Sequence, residues 1–325
     1  MAMNYNEFRK KLKTCFVHLL MTPVKGDDEV DFDTLKDLIN KQIEMFEGHD
    51  VIFLAGGSTA EFYGMNTETF KKYIDVVVDT VAGRVPVLMG TSAAGTKATI
   101  ELSQYADNKG VDGIMLVAGY YHPAYEDGLY DHFKAIADSV KCGIVLYNNP
   151  CTSKLYIYPE MLKKLSKIKN IVGDKDNTNS APMFYRQLKT VDPEDMTVFT
   201  GLGEPMFQYT TLLGCRSFVS DLANYLPKQC MAIHEAAAKG DYDRVTQIVD
   251  SIDDLEQFKN RVASKHSIPT VMSSYILGGG VPAYQSFIKE AMKIAGLPIG
   301  KVMAPMYNLN EEEVEELKGL MAKHM

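Results

Sequence analysis

The sequence predicts an α/β protein built as a (β/α)₈ (TIM) barrel with a C-terminal helical extension. Three observations carry that prediction. Short apolar runs recur eight times, most of them without polar–apolar alternation, as parallel strands covered on both faces require. Stretches with apolar residues at helical spacing lie between them, joined by short connections. After the eighth run only helical patterns remain. Eight strand–helix repeats favour a closed barrel over an open doubly wound sheet.

The first run is CFVHLLMT (15–22), and the start before it, MAMNYNEFRKKLK, is too polar for a secretory signal. After Asp33, the residues Leu35, Leu38, Ile39, Met45 and Phe46 share one helical stripe and lead to VIFLAG (51–56). Asn66 or Thr67 then caps a second stripe of Phe70, Tyr73, Ile74, Val77 and Val81, which precedes VPVLMG (85–90). GTSAAGTK (90–97) joins this strand to its helix. It is not a phosphate-cradling loop, because Thr96 separates the second glycine from Lys97 and Ala98 supplies no hydroxyl. GIMLVAG (113–119), GIVLYNN (143–149), NIVGDK (170–175), TVFTG (197–201) and SFVSD (217–221) complete the set. The barrel is expected over residues 1–235 and the extension over 236–325, with GGG at 278–280 as a hinge between C-terminal helices.

Composition narrows the function classes. The chain has 325 residues, 46% hydrophobic and 23% charged, as a globular protein does. Its net charge of -8 and the lack of a long basic run argue against a nucleic-acid partner. Glu311, Glu312, Glu313, Glu315 and Glu316 read as a solvated helix face rather than a metal site. Cys15, Cys142, Cys151, Cys215 and Cys230 are odd in number and without zinc-type spacing, which suits reduced thiols in the cytoplasm. No apolar run approaches the roughly 18 residues of a membrane span. The expectation is a soluble cytoplasmic protein with no membrane and no metal.

In such barrels, active sites form at the carboxyl ends of the strands. Those ends carry Thr22, then Gly57, Ser58 and Thr59, then Tyr120 and Tyr121, then Tyr147, Lys175, Glu204 and Ser220. Lys175, flanked by Asp174 and Asp176, admits two readings. It pairs with an aspartate on the rim, or it points into the barrel mouth, where burial lowers its pKa and frees the amine to form a Schiff base. Tyr147 serves as a proton shuttle or simply packs. Ser58 and Thr59 of GGSTAEF offer hydroxyls and N–H groups to a carboxylate, although such turns also occur without a ligand. His122 is a candidate for the pocket rim, His132 for packing, and Tyr120 and Tyr125 for a subunit contact.

Together these residues resemble the dihydrodipicolinate synthase and N-acetylneuraminate lyase family, over roughly residues 14–235. The motifs that carry the likeness are the TP of MTPV, GSTAE, GTS, YYHPAYEDGLYDHF, YNNP and the lysine of VGDKD. The resemblance implies that Lys175 forms an imine with a 2-oxo acid such as pyruvate and that Tyr147 transfers protons. It implies that Ser58 and Thr59 bind the carboxylate, that Gly57 allows its approach, and that the Val219 carbonyl lines the site. By the same resemblance Tyr121 completes the relay in a neighbouring subunit, the assembly is a homotetramer (a dimer of dimers), and no metal or organic cofactor is used.

Some positions depart from the family pattern. Ala60 stands where the family has glycine. Thr152 stands where the family's dihydrodipicolinate synthases hold the second substrate's carboxylate with arginine, and Lys154 lies two residues on. Glu204 is kept, with Gly203 where neuraminate lyases tend to have aspartate. Phe62 and the Lys175–Asp176 pair are instead similar to the family's sugar-acid dehydratases. Asp174, at a position that is often apolar, would raise the amine pKa unless it points away. The expected activity is reversible aldol cleavage or condensation between a 2-oxo acid and an aldehyde. The alternative is dehydration of a 2-oxo-3-deoxy sugar acid through the same imine. The synthase reaction itself and a non-catalytic 2-oxo acid sensor rank below. Expected catalytic residues are Lys175, Tyr147, Ser58 and Tyr121; expected substrate contacts are Gly57, Ser58, Thr59, Val219, Thr152 and Glu204.

Overall fold

The computed structural model describes residues 2–266 and 284–325. Eight parallel strands pair in chain order, and the last closes on the first. They are β1 (Phe16–Leu19), β2 (Val51–Ala55), β3 (Val87–Gly90), β4 (Gly113–Val117), β5 (Gly143–Asn148), β6 (Ile171–Asp176), β7 (Thr197–Thr200) and β8 (Phe218–Ser220). Each apolar run picked out in the sequence is one of these strands. Almost every strand residue is buried, because side chains fill the barrel on one face and meet the helices on the other.

The helices of the barrel are α1 (Tyr5–Leu12), α2 (Phe32–Met45), α3 (Thr67–Val81), α4 (Thr96–Lys109), α5 (Glu126–Ala137), α6 (Pro150–Ser153), α7 (Pro159–Leu165), α8 (Ala181–Thr190), α9 (Gly203–Thr210) and α10 (Pro227–Ala238). In α3 the Asn66 side chain accepts from the Thr69 N–H at 2.8 Å, and the buried residues are Phe70, Tyr73, Ile74, Val77 and Val81. The polar start, unassigned from sequence, folds as α1. Asn4 and Glu7 form its capping box, and Phe8 and Leu12 are fully buried against the amino ends of the strands. A Cβ at Gly143 would lie 2.8 Å from the Phe8 ring, so glycine there makes room for the plug.

After α10 come α11 (Tyr242–Ser251), α12 (Asp253–His266), α13 (Tyr284–Ile294) and α14 (Glu311–Met321). The helix α11 packs on α9 and α10, while α13 packs on the turn at 222–224 beyond β8, which brings it to the catalytic face. The GGG at 278–280 lies outside the described residues. One expectation needs correction: Glu313 does not share the solvated face of its neighbours. It is 3% exposed, caps α14, and accepts from the Tyr307 hydroxyl at 2.8 Å and pairs with His266 at 2.6 Å. Among the described residues, no helix is long and apolar enough to cross a membrane.

Candidate active site

Tyr147 on β5 and Lys175 on β6 are register partners, and the lysine Nζ lies 3.8 Å from the centre of the phenol ring. Each is 5% exposed. Burial lowers the Lys175 amine to about 7, since an ammonium loses its hydration there. Lys175 pairs with neither flanking aspartate, so the rim reading of this residue is set aside. Successive strand side chains point to opposite faces, which turns Asp174 and Asp176 away from it. Asp176 is held by the Asn148 Nδ2 at 3.1 Å and the Thr178 N–H at 2.8 Å. Asp174 is fully buried, and neither of its oxygens has a hydrogen-bond partner among the described residues. Burial, with Asp176 beside it, pushes its pKa well above the usual carboxylate range. The shift favours the neutral carboxyl, which weakens any charge it puts beside the amine.

Gly201, just past β7, sets the other wall. A Cβ there would come 2.6 Å from the Lys175 Cε and would collide with the Asn177 Oδ1. Its N–H donates to the Asp176 carbonyl at 2.8 Å, so the backbone has no room to retreat.

The loop after β2 begins at Gly56, whose φ of +66° and contacts with Phe70, Met89 and the Gly90 carbonyl exclude a side chain. Two tight turns follow, Ala60 N–H to the Gly57 carbonyl at 3.0 Å and Glu61 N–H to the Ser58 carbonyl at 3.1 Å. The Thr22 hydroxyl donates to the Ala60 carbonyl at 2.7 Å. Beyond Gly56, the residue of the loop that takes the left-handed conformation is Glu61, at φ 58°, and not Ala60, so alanine at position 60 is accommodated without strain. Ser58 lies close enough to the Tyr147 phenol to help hold its pKa down against burial, which sets the loop beside the lysine.

The C-terminal region grips this loop. The Gln285 Nε2 reaches the Ser58 carbonyl at 3.4 Å. Lys289 pairs with Glu61 at 2.5 Å, both side chains being essentially without solvent contact, and the Met303 N–H donates to the second Glu61 oxygen. No local pattern in the sequence marks these residues or Gly201; for Asn149 the visible signal is the paired asparagines of YNNP.

The remaining expected site residues are more dispersed. Val219 is buried on β8. Glu204 is 2% exposed at the start of α9 and accepts from the Ser220 hydroxyl at 2.5 Å; burial, then Asp221, pushes it up to about 8. Behind it Lys259 of α12 sits 3.1 Å from Asp221 and 2.5 Å from Glu256. Thr152 and Lys154 are exposed around α6. Tyr121 is 71% exposed and meets His122 edge-on at 4.9 Å. Lys175, Tyr147, Ser58 and the 57–61 loop thus come together, whereas Tyr121 and Thr152 stand at the surface.

Comparison with known proteins agrees with this fold. A profile of the dihydrodipicolinate synthetase family matches residues 14–324. The 4-hydroxy-tetrahydrodipicolinate synthase of Acetivibrio thermocellus is 32% identical over 311 residues, 95% of this chain and 97% of that protein. Its counterpart from Clostridium novyi is 29% identical, covering 94% of each chain. Among solved structures, the prophage protein YagE of E. coli K12, of the dihydrodipicolinic acid synthase family and in complex with pyruvate, superposes with a TM-score of 0.83. It is 28% identical over 96% of this chain and 98% of its own. The dihydrodipicolinate synthase of Aquifex aeolicus gives a TM-score of 0.81 at 26% identity, over 95% and 97%.

Proposed function

The chain belongs to the dihydrodipicolinate synthetase family, whose members are class I aldolase-type lyases, and we propose that it joins and splits a pyruvate-type 2-oxo acid and an aldehyde through an imine on Lys175. The observation that carries this reading is the buried amine, lowered to about 7, against the Tyr147 ring.

Each residue has a part in the chemistry. The loop hydroxyls and N–H groups of Ser58 and Thr59 receive the substrate carboxylate, next to Gly57. The neutral Lys175 amine attacks the C2 carbonyl, and the carbinolamine loses water to give the imine. The imine then accepts the electron pair released when the C3–C4 bond breaks, or when a C3 proton passes to the Tyr147 phenoxide that remains once the phenol has protonated the departing hydroxyl. In condensation, the resulting enamine attacks the aldehyde carbon, and water releases the product from the lysine. Tyr147, pushed up to about 12 by burial, keeps its proton at neutral pH and so enters as donor, to the departing hydroxyl or the new alkoxide. The exposure of Tyr121 supports its placement at a contact in a homotetramer, and the family resemblance supports a cytoplasmic setting.

A second reading is 4-hydroxy-tetrahydrodipicolinate synthesis, the activity named for the curated relatives. Against it stands Thr152 in place of the arginine that grips the second substrate's carboxylate. Dehydration of a 2-oxo-3-deoxy sugar acid would use the same imine.

Intact-mass measurement after incubation with pyruvate and sodium borohydride tests the imine, with Lys175→Ala beside wild type. An adduct in wild type alone is expected; its persistence in the variant would overturn the assignment. Turnover with aldehydes with and without a distal carboxylate, and with a 2-oxo-3-deoxy sugar acid, then separates the three reactions.

A further inference from the structure

We propose that Asn149 is a positioning residue of the proton relay: its side-chain amide holds the Tyr147 oxygen and fixes the direction in which the phenol proton points. The inference rests on the imine reading above.

The geometry starts from YNNP. Tyr147 faces the lysine, and Asn148 faces outward, where its amide exchanges hydrogen bonds with Ile157 at 3.1 and 2.9 Å and donates to Asp176. Asn149 follows the strand, is 8% exposed, and donates from Nδ2 to the Tyr147 oxygen at 2.8 Å. A second contact fixes the sense of its amide. The Asn149 Oδ1 accepts from the Thr152 N–H at 3.4 Å, as the N-cap of α6. With the oxygen turned to the helix, the NH₂ is turned to the phenol. The backbone is held as well: its carbonyl accepts from the Ser153 hydroxyl at 2.9 Å, and Pro150 next in the chain restricts its conformations.

A phenol oxygen carries one proton and two lone pairs. Asn149 occupies one lone pair and, through NH₂, can accept nothing in return. The Tyr147 proton therefore cannot rest on Asn149 and is left for another acceptor, such as the reacting atoms. The same donor stabilises the oxygen once it has given up its proton. Burial raises the Tyr147 pKa, and the Asn149 hydrogen bond, with Ser58 nearby, acts in the opposite direction. An apolar residue at 149 would fill the space and do neither.

The test compares Asn149→Asp and Asn149→Leu with wild type. Aspartate keeps the size and the oxygen that caps α6 but loses the donor; leucine loses both. Protein labelled with ¹³Cζ-tyrosine, with Tyr147→Phe to assign the signal, reports the phenol's environment without any turnover. Exchange of the pyruvate methyl protons in D₂O reports the relay, and borohydride trapping reports the imine. The Tyr147 resonance should move in Asn149→Asp, and kcat for exchange should fall about tenfold. KM for pyruvate should hold, and the imine should still be trapped. An Asn149→Asp protein with a wild-type resonance and wild-type exchange would show a helix cap and overturn the proposal. If wild type traps no imine, the functional reading fails separately, and the resonance decides alone: a shift supports the hold on the phenol and its absence overturns it.

Discussion

The Lys175 amine and the Tyr147 ring lie on partnered residues of adjacent strands, 3.8 Å apart from nitrogen to ring centre. The ring face would favour an ammonium. Burial wins, and the amine falls to about 7, so near neutral pH about half of it is nucleophilic, against roughly three in ten thousand for an unperturbed lysine.

Imine formation should therefore rise with pH through about 7 and level off above it, because only the unprotonated amine attacks. Stopped-flow or quenched borohydride trapping across pH 5 to 10 measures this. A midpoint near that of a free lysine would refute the lowered pKa. The same shift costs stability. A base with a depressed folded pKa destabilises fully below that value, and the cost disappears above the unfolded one. Lys175→Met should then gain about 3–4 kcal/mol near pH 7, a gain shrinking toward pH 10.5 in denaturant titrations.

Tyr147→Phe removes the proton that burial keeps on the phenol while leaving the ring against Lys175. Turnover should fall roughly 100- to 1000-fold, with an imine still trapped on long incubation. Unchanged turnover would assign the ring to packing alone.

Gly201→Ala should cripple imine formation without unfolding the barrel. The added methyl would sit 2.6 Å from the Lys175 Cε and against Asn177, so the lysine must move. A shift of about 1 Å in a reacting group costs on the order of 100-fold. Wild-type trapping kinetics in a folded variant would show that the lysine has room to spare.

Asp174→Leu should be more stable than wild type at neutral pH. The buried carboxyl has a folded pKa well above its unfolded one. The stability linked to its proton is fully present below the ordinary carboxylate pKa and is lost as pH rises through the folded value. Replacement removes that loss, so the gain should grow from pH 4 upward. A gain that does not vary with pH would mean that Asp174 is not the group responsible.

Lys289→Met leaves the Glu61 carboxylate buried without its cation. Breaking one side of such a pair costs about 3–5 kcal/mol, and here the loss falls on the loop that carries Ser58 and Thr59. KM for the 2-oxo acid should rise. Glu61→Gln with Lys289→Met should recover much of the stability. Equal stability of single and double variants would argue that the pair is uncoupled.

What the sequence made legible follows from which forces are periodic. The stripe from Phe70 to Val81 and the eight apolar runs repeat a local pattern, and the structure buries those same residues. Lys175 was legible because a charge at the end of an apolar run is out of place. The direction of Asp174 was not, since whether a carboxylate raises an amine's pKa depends on a pleat of one residue. Glu61 and Lys289 escaped notice because their attraction spans 228 positions and neither breaks a local pattern. Gly201 reads as an ordinary turn residue until Lys175 is placed beside it. Phe8 and Leu12 were hidden in a start whose charges masked the face that plugs the barrel.

The distance along the chain between Glu61 and Lys289 also has a temporal meaning. At roughly 5–20 residues per second on a ribosome, the loop after β2 is made about 10 to 45 s before the lysine that clamps it. During that interval the early strands exist while the Glu61 carboxylate waits with neither Lys289 nor the Met303 amide to meet it. The barrel is begun from its amino end, but the loop after its second strand is locked from the far end of the chain.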